Sequence, residues 1–343
     1  MTQKHFTDEL ADAITKDSKL TETAKAQVLR NLHRLKETKV NILITGATGC
    51  GKSSTINAIF NADKAKVGQG VDPETMDIVK YEFNNIVLYD SPGLGDSPDA
   101  DNRHSKNIIG KLNEKAPNGD MLIDLVLVIL DGSTRDLGTS YELIEKVIIP
   151  NIGEDKKRLL VAINQADMAM KKKHWNQAQN FPEPELIKFL EDKVASTQKR
   201  IKEATGIDIE EPVYYVAGDK DGDKPQNPYN LSKLLLQILL HTKEEKRAVF
   251  TQDLNPDKKM WADDDELDKY REKIQSTLWE SVKSTASDGA DLGNDFFGGI
   301  GELVFSNAGE KIGGAVGKVV GGVIGGVAGA VSGIVRKIFS IFD

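Results

Sequence analysis

The hydrophobic positions change their period several times along the 343-residue chain, and each change marks an element boundary. Over residues 1–38, Leu10, Ala13, Ile14, Leu20, Val28, Leu29, Leu32 and Leu35 recur at helical spacing, which predicts one or two amphipathic helices. Thr21 stands where it can cap a second helix, but Ala24 occupies the position where a capping box needs Glu or Gln. From 39 to 242, short apolar runs alternate with helical periods. The predicted strands are 40–45, 76–83, 85–90, 125–130, 158–164 and 212–217, and the predicted helices 102–113, 137–148, 184–204 and 230–242. Leu125-Val126-Leu127-Val128-Ile129-Leu130 and Leu159-Leu160-Val161-Ala162-Ile163 are continuous apolar runs, as expected of parallel strands covered on both faces. The expectation is an α/β fold with a mostly parallel sheet and helical additions at both ends, binding its ligand at the carboxyl edge of the strands.

Residues 243–294 are polar and charged, with a helical stripe of Trp261, Leu267, Tyr270, Ile274, Leu278 and Trp279; they read as a helical connector packed on the α/β domain. Residues 295–343 switch to glycine and aliphatics. Gly313, Gly317, Gly321, Gly325, Gly329 and Gly333 recur every four residues, Gly314, Gly322 and Gly326 add a second stripe, and residues 319–335 hold no charge. A four-residue glycine period lines one slowly drifting helical face, where another helix can approach closely. In water such a helix is poor: the nine glycines of 312–335 cost on the order of 9 kcal/mol relative to alanine. It therefore needs a partner. Three readings stand: a glycine zipper over 306–343 that enters a membrane or self-associates, a hairpin folded on its own protein, and a flexible tail. Lys318 and the minimal uncharged length favour conditional insertion over a fixed span, and Arg336-Lys337 before Ile338-Phe339-Ser340-Ile341-Phe342 resembles an interfacial end.

The net charge of −8 argues against general nucleic-acid binding, and a single cysteine excludes an intramolecular disulfide and suits a reducing compartment. The first ten residues lack the apolar core of a secretory signal. The expected location is the cytoplasm, with peripheral or conditional insertion at the inner face of a membrane.

The chemistry concentrates in three loops. Gly46-Ala47-Thr48-Gly49-Cys50-Gly51-Lys52-Ser53 fits G-x-x-x-x-G-K-[ST] between a predicted strand and a predicted helix. Such a loop wraps a polyphosphate with backbone N–H groups at a helix N-terminus. Gly46, Thr48, Gly49, Cys50, Gly51, Lys52, Ser53 and Ser54 are the candidate phosphate-binding residues; Lys52 reaches the β- and γ-phosphates and the Ser53 hydroxyl ligates Mg²⁺. Asp90-Ser91-Pro92-Gly93 ends a strand about 40 residues on, so Asp90 is a candidate Mg²⁺ holder and the Gly93 N–H a sensor of the γ-phosphate. Thr75, in Asp72-Pro73-Glu74-Thr75-Met76, is the candidate to complete the Mg²⁺ shell and fold over the γ-phosphate. Lys52, Thr75 and Gly93 are thus the candidate catalytic residues. Asn164-Gln165-Ala166-Asp167 follows the 158–163 strand: the Asp167 carboxylate can accept from N1 and N2 of guanine, which adenine cannot match, while Asn164 ties the loop together. Ala217 would place a backbone N–H near guanine O6. A P-loop ATPase with a coincidental Asn164…Asp167 is the rival for this set.

Together these motifs resemble the translation-factor-related P-loop GTPases, the Era-like group among them and the bacterial "50S ribosome-binding GTPase-like" type in particular. Gly-Lys-Ser-Ser, Ile-Asn-Ala and the Thr75-Met76 pair resemble, more distantly, the immunity-related GTPases. The resemblance covers about residues 39–242 and implies GTP hydrolysis with GTP/GDP and Mg²⁺; Leu94 after Gly93 leaves the catalytic group to another switch residue, a partner or a second copy in a homo-oligomer. Three positions depart from it. Gln165 replaces a lysine that packs on the nucleotide, which predicts weaker affinity with base choice kept. Gly49 replaces the asparagine of potassium-activated members, and Gly218 departs from Ser-Ala-Lys in the last loop. Leu94 cannot orient water, which predicts a slow intrinsic rate; Asp96, Arg103 and His104 lie just beyond in a flexible-looking segment as minor candidates for the missing group. Cys50, near a helix N-terminus, is a minor candidate for redox control. The expected organisation is a helical segment over 1–38, a GTPase domain over 39–242, a connector over 243–294 and the glycine-zipper tail over 295–343. The function expected is a slow GTP-hydrolysing switch whose nucleotide state controls the tail; a soluble ribosome- or RNA-associated GTPase is the alternative.

Overall fold

The computed structural model describes residues 4–16, 20–62, 66–69, 78–95, 97–218 and 226–289. In chain order the helices are α1 (Phe6–Lys16), α2 (Glu22–Glu37), α3 (Lys52–Phe60), α4 (Pro98–Asn113), α5 (Gly138–Glu142), α6 (Ile149–Asn151), α7 (Pro184–Thr205), α8 (Leu231–Leu240), α9 (Glu244–Arg247) and α10 (Leu267–Ser287). The strands are β1 (Val40–Gly46), β2 (Lys66–Gln69), β3 (Val79–Glu82), β4 (Ile86–Asp90), β5 (Leu125–Asp131), β6 (Leu159–Asn164), β7 (Trp175–Asn176), β8 (Phe181–Pro182) and β9 (Val213–Tyr214).

The main sheet runs β2-β3-β4-β1-β5-β6-β9. From β4 to β9 every pairing is parallel, whereas β2 and β3 form an antiparallel edge. The central strands are parallel for the reason their sequences suggest: β6 is buried at all six positions and β5 at its first six, so neither leaves a polar face for water. The parallel strands all end at one edge, which gathers the loops after Gly46, Asp90, Asp131, Asn164 and Tyr214. β2 was not legible, because a four-residue Lys-Val-Gly-Gln edge strand carries no apolar run.

Helix termini follow local chemistry. The Ser97 hydroxyl accepts from Ala100 N–H and Pro98 opens α4, so that helix begins four residues before the periodicity alone suggests. Thr21 caps α2 by accepting from Ala24 N–H at 3.2 Å, without the reciprocal glutamate. The predicted 137–148 helix is interrupted: Leu143–Ile148 widens into a π-helix between α5 and α6.

The chain divides into two compact units. One comprises Val40–Lys243 with Asp253–Ile274. The other gathers the described residues of Met1–Lys39, Glu244–Gln252 and Gln275–Asp343. The predicted connector is therefore not one body, since its residues are shared between the two units. Within the second unit, α1 packs on α2, and Asn31 Nδ2 donates to the carbonyls of Ala286 and Asp288 at 3.1 and 2.7 Å. There the Ser281 hydroxyl accepts from Ala248 N–H at 2.9 Å and donates to the Glu244 carbonyl at 2.5 Å. In the α/β unit, Asp253 closes the β3–β4 turn, its carboxylate accepting from Asn84 N and Nδ2, Asn85 N and Ile86 N at 2.6–3.0 Å. Among the described residues no helix is long and apolar enough to cross a membrane. The glycine-zipper reading falls on residues 306–343, which lie outside the described ones.

Candidate functional site

Between β1 and α3 the chain must turn tightly while leaving its N–H groups free to point inward. Gly51, the residue before α3, has φ +88°, and a Cβ there would lie 2.1 Å from Asn164 Nδ2, so both conformation and space require glycine. The Lys52 ammonium spans the loop it belongs to, donating to the carbonyls of Gly46 and Ala47 at 3.2 and 3.1 Å. Ser53 and Ser54 stand exposed in the first turn of α3. Tyr215, fully buried below, shares a 2.6 Å hydrogen bond with Thr55 and holds this helix to the end of the sheet.

The Asp90–Gly95 segment is stitched to that loop. Thr48 N–H donates to the Leu94 carbonyl at 3.0 Å, Leu94 N–H donates back to the Gly46 carbonyl at 3.4 Å, and Ala47 and Leu94 form a parallel bridge. A Cβ on Gly93 would fall 2.3–2.6 Å from Thr48 atoms, so only glycine allows this approach. The Ser91 hydroxyl donates to Thr45 Oγ1 at 2.8 Å, in the interior. Asp90 Oδ1 is buried and accepts no hydrogen bond, and burial pushes its carboxyl up to about 6 against the opposing pull of Lys52. A carboxylate that costs energy to ionise and lacks a donor is fitted to a cation. The donor set of Asp90 with a serine hydroxyl suits a hard oxygen-seeking ion such as Mg²⁺.

Asn164 makes the third connection. Its Nδ2 donates to the Cys50 carbonyl at 3.0 Å, its Oδ1 accepts from Ala217 N–H at 2.9 Å, and its own carbonyl accepts from Gly132 N–H at 2.7 Å. One buried side chain thus binds the phosphate-type loop to the loop after β9, as the sequence expected of it. Gln165, in left-handed conformation at φ 60°, donates from Nε2 to the Gly49 carbonyl at 2.7 Å, so the residue that departs from the lysine still reaches across the loop. Asp167 stands in the first turn of the short helix that begins at Ala166; it is half-buried, and burial raises its pKa.

Residues 41–165 match the family described as 50S ribosome-binding GTPase. The α/β unit has a P-loop GTPase fold. Over 103 residues it is 36% identical to "Translocase of chloroplast 126, chloroplastic" of Physcomitrium patens, covering 28% of this chain and 9% of that protein. Over 161 residues it is 29% identical to the tRNA modification GTPase MnmE of Mycoplasmopsis pulmonis, covering 44% and 32%. The chain thus spans a tenth to a third of those relatives. Among solved structures it is similar to Toc33 of Arabidopsis thaliana in complex with Mg²⁺ and GMPPNP, with 16% identity, a TM-score of 0.38, and coverage of 63% of this chain and 85% of that one.

The GTPase domain brings Gly46, Thr48, Gly49, Cys50, Gly51, Lys52, Ser53, Ser54, Asp90, Gly93, Asn164, Asp167 and Ala217 to one sheet edge. Thr75 and Asp96 lie outside the described residues. Two expectations change. His104 is not in a flexible segment: it sits in α4, 6% exposed, with Nδ1 3.1 Å from the Gly93 carbonyl. Cys50 is fully buried and its thiol is pushed up to about 11, the opposite of the lowered pKa that redox control requires. Gln226 was missed: it hydrogen-bonds the Asp167 carboxylate and donates from Nε2 to Asn180 Oδ1 at 3.1 Å. Asn180 in turn holds the Asn227 and Pro228 carbonyls at 3.0 and 3.2 Å. A glutamine sixty residues from Asp167 has no periodic or motif signal to announce it.

Proposed function

We propose that the GTPase domain, assigned to residues 39–242, binds GTP and GDP with Mg²⁺, hydrolyses GTP slowly, and uses its nucleotide state to control the tail over 295–343. The observation that carries the nucleotide reading is the Asn164 clamp, which fixes the Lys52 loop, the Ala217 loop and the turn bearing Asp167 as one constellation. In this reading, Lys52 leaves the Gly46 and Ala47 carbonyls for the β- and γ-phosphates, and the loop N–H groups of Gly49, Gly51, Ser53 and Ser54 face the polyphosphate. Ser53 and Asp90, with Thr75, hold Mg²⁺, which supplies charge neutralisation at the phosphate oxygens. The Gly93 N–H faces the γ-phosphate. Asp167 accepts from guanine N1 and N2, and the Ala217 N–H, already engaged by Asn164 Oδ1, positions the base loop rather than serving O6 alone. Leu94 is 4% exposed and packs in the core, so it orients no water; the catalytic group comes from another switch residue or a second copy of the chain, in keeping with a slow intrinsic rate.

The tail argument rests on sequence: a glycine face repeated every four residues, no charge over 319–335, and a basic then aromatic end. The Era-like kinship belongs to the same proposal, with the protein placed in the cytoplasm and at the inner face of a membrane when switched. Ribosome or RNA association is the second reading, favoured by the description of the matching family; the acidic balance of −8 and the apolar tail weigh against it. Liposome flotation separates the two. The full chain is expected to float with a non-hydrolysable GTP analogue and not with GDP, and a truncation ending at Phe305 is expected to stay down in both. Equal flotation of the truncation would remove the tail from the account.

A further inference from the structure

His104 and Asp101 stand three residues apart on α4 and therefore share a face, and both reach the same short segment. His104 Nδ1 lies 3.1 Å from the Gly93 carbonyl, and Asp101 Oδ1 accepts from Gly95 N–H at 2.8 Å. The residue between them is held from the other side, its carbonyl by Thr48 N–H and its N–H by the Gly46 carbonyl. Gly93, Leu94 and Gly95 are thus gripped alternately by α4 and by the phosphate loop. A carbonyl has no proton to give, so Nδ1 carries the hydrogen of the His104–Gly93 bond. At 6% exposure the imidazole has little water to fall back on, and the bond is correspondingly directional.

We propose that His104 is a positioning residue for Gly93: it fixes the main chain that presents the Gly93 N–H to the γ-phosphate, and it couples that contact to α4. The inference rests on the reading of Gly93 as the γ-phosphate-facing residue. His104 touches neither nucleotide nor water in this role; it holds the Gly93 carbonyl, in the peptide that follows the Gly93 N–H, and so limits rotation of the backbone between the two. Its removal loosens a contact made only with the triphosphate, so it lowers turnover and leaves GDP binding intact. Asp101 anchors Gly95 from the same face, so α4 carries the motion of the whole segment.

The test uses the full chain and three variants. His104→Phe keeps a ring of similar volume without a donor, His104→Ala removes the ring, and His104→Asn restores an N–H donor close to the place of Nδ1. The readouts are kcat and KM for GTP, GDP affinity, and Tm. Phe and Ala are expected to lower kcat roughly tenfold with GDP affinity within about twofold, and Asn to recover to within about threefold of the unaltered chain. If Phe and Ala keep kcat within about twofold, or if GDP and GTP binding fall together with Tm and Asn does no better than Phe, the proposal is overturned. Should Ala fail to fold, the Phe–Asn pair decides alone. An unaltered chain that binds no GDP would overturn the nucleotide reading and this inference with it; one that binds and hydrolyses normally beside an unaffected Phe variant would overturn this inference only.

Discussion

Asp167→Asn is expected to transfer base preference from guanine to xanthine. The carboxylate presents two acceptors, and guanine presents N1–H and the N2 amino group to meet them. An asparagine amide presents one acceptor and one donor, so one guanine hydrogen faces another hydrogen. Xanthine carries a carbonyl at C2, which accepts from the new amide. Hydrogen bonds to a charged group contribute about 1.5–3 kcal/mol each, so losing the matched pair should weaken GDP binding by roughly a hundredfold or more. Asp167 is half-buried and burial raises its pKa, against hydrogen bonds from its own N–H, Met168 N–H and Gln226, so the neutral amide should change Tm by only a few degrees. Gln226, hydrogen-bonded to the carboxylate, can go on donating to the amide oxygen of asparagine without leaving Asn180. Titration with GDP, xanthosine diphosphate and ADP reads the result. Unchanged GDP affinity in the variant would dissociate Asp167 from the base.

Asn164→Ala is expected to cost both stability and nucleotide binding. The change strands the Cys50 carbonyl and the Ala217 N–H, in residues 0% and 7% exposed. Each buried orphan costs about 1–3 kcal/mol. Together they amount to a large share of the 5–15 kcal/mol that holds a typical domain, and a fall in Tm of roughly 5–15 °C should follow. GDP affinity should drop more than tenfold, because the Lys52 loop and the loop after β9 then move independently. Asn164→Asp separates the two bonds: it still accepts from Ala217 N–H but sets a carboxylate against the Cys50 carbonyl. It should therefore disturb the phosphate side more than the base side. A Tm and GDP affinity both unchanged in Asn164→Ala would show that the three loops hold their places without the clamp.

The sequence foretold the local parts of this site and left the non-local ones hidden. Gly46 to Ser53 was legible because the loop's geometry is dictated within those eight residues, by glycines whose φ values and crowding exclude side chains. β5 and β6 were legible because a strand buried on both faces must be apolar throughout. Asn164 was legible as a tie within its loop from its place at a strand end, but not its two partners, the Cys50 carbonyl and the Ala217 N–H. By contrast, the capture of the β3–β4 turn by Asp253 joins positions more than 160 residues apart, and a single aspartate carries no pattern. His104 falls inside the predicted 102–113 helix as well as the segment read as loose, and the helical reading holds; only the first turn of α4 was hidden, because its Ser97–Pro98 cap is two residues long. The bond from Gln165 to the Gly49 carbonyl was not legible, because it depends on a left-handed backbone at φ 60° that no motif announces. For Cys50 the minor redox reading falls, because burial beneath the loop outweighs the nearby helix N-terminus and pushes the thiol up, which leaves a small residue filling its place.

The central claim is that the carboxyl edge of this sheet takes a guanine nucleotide with Mg²⁺. Titration calorimetry of the full chain with GDP and with ADP, each with and without Mg²⁺, tests it most directly. The account predicts a single GDP site strengthened by Mg²⁺, with ADP at least about a hundredfold weaker. Equal affinity for ADP, or no binding of either nucleotide, would contradict it.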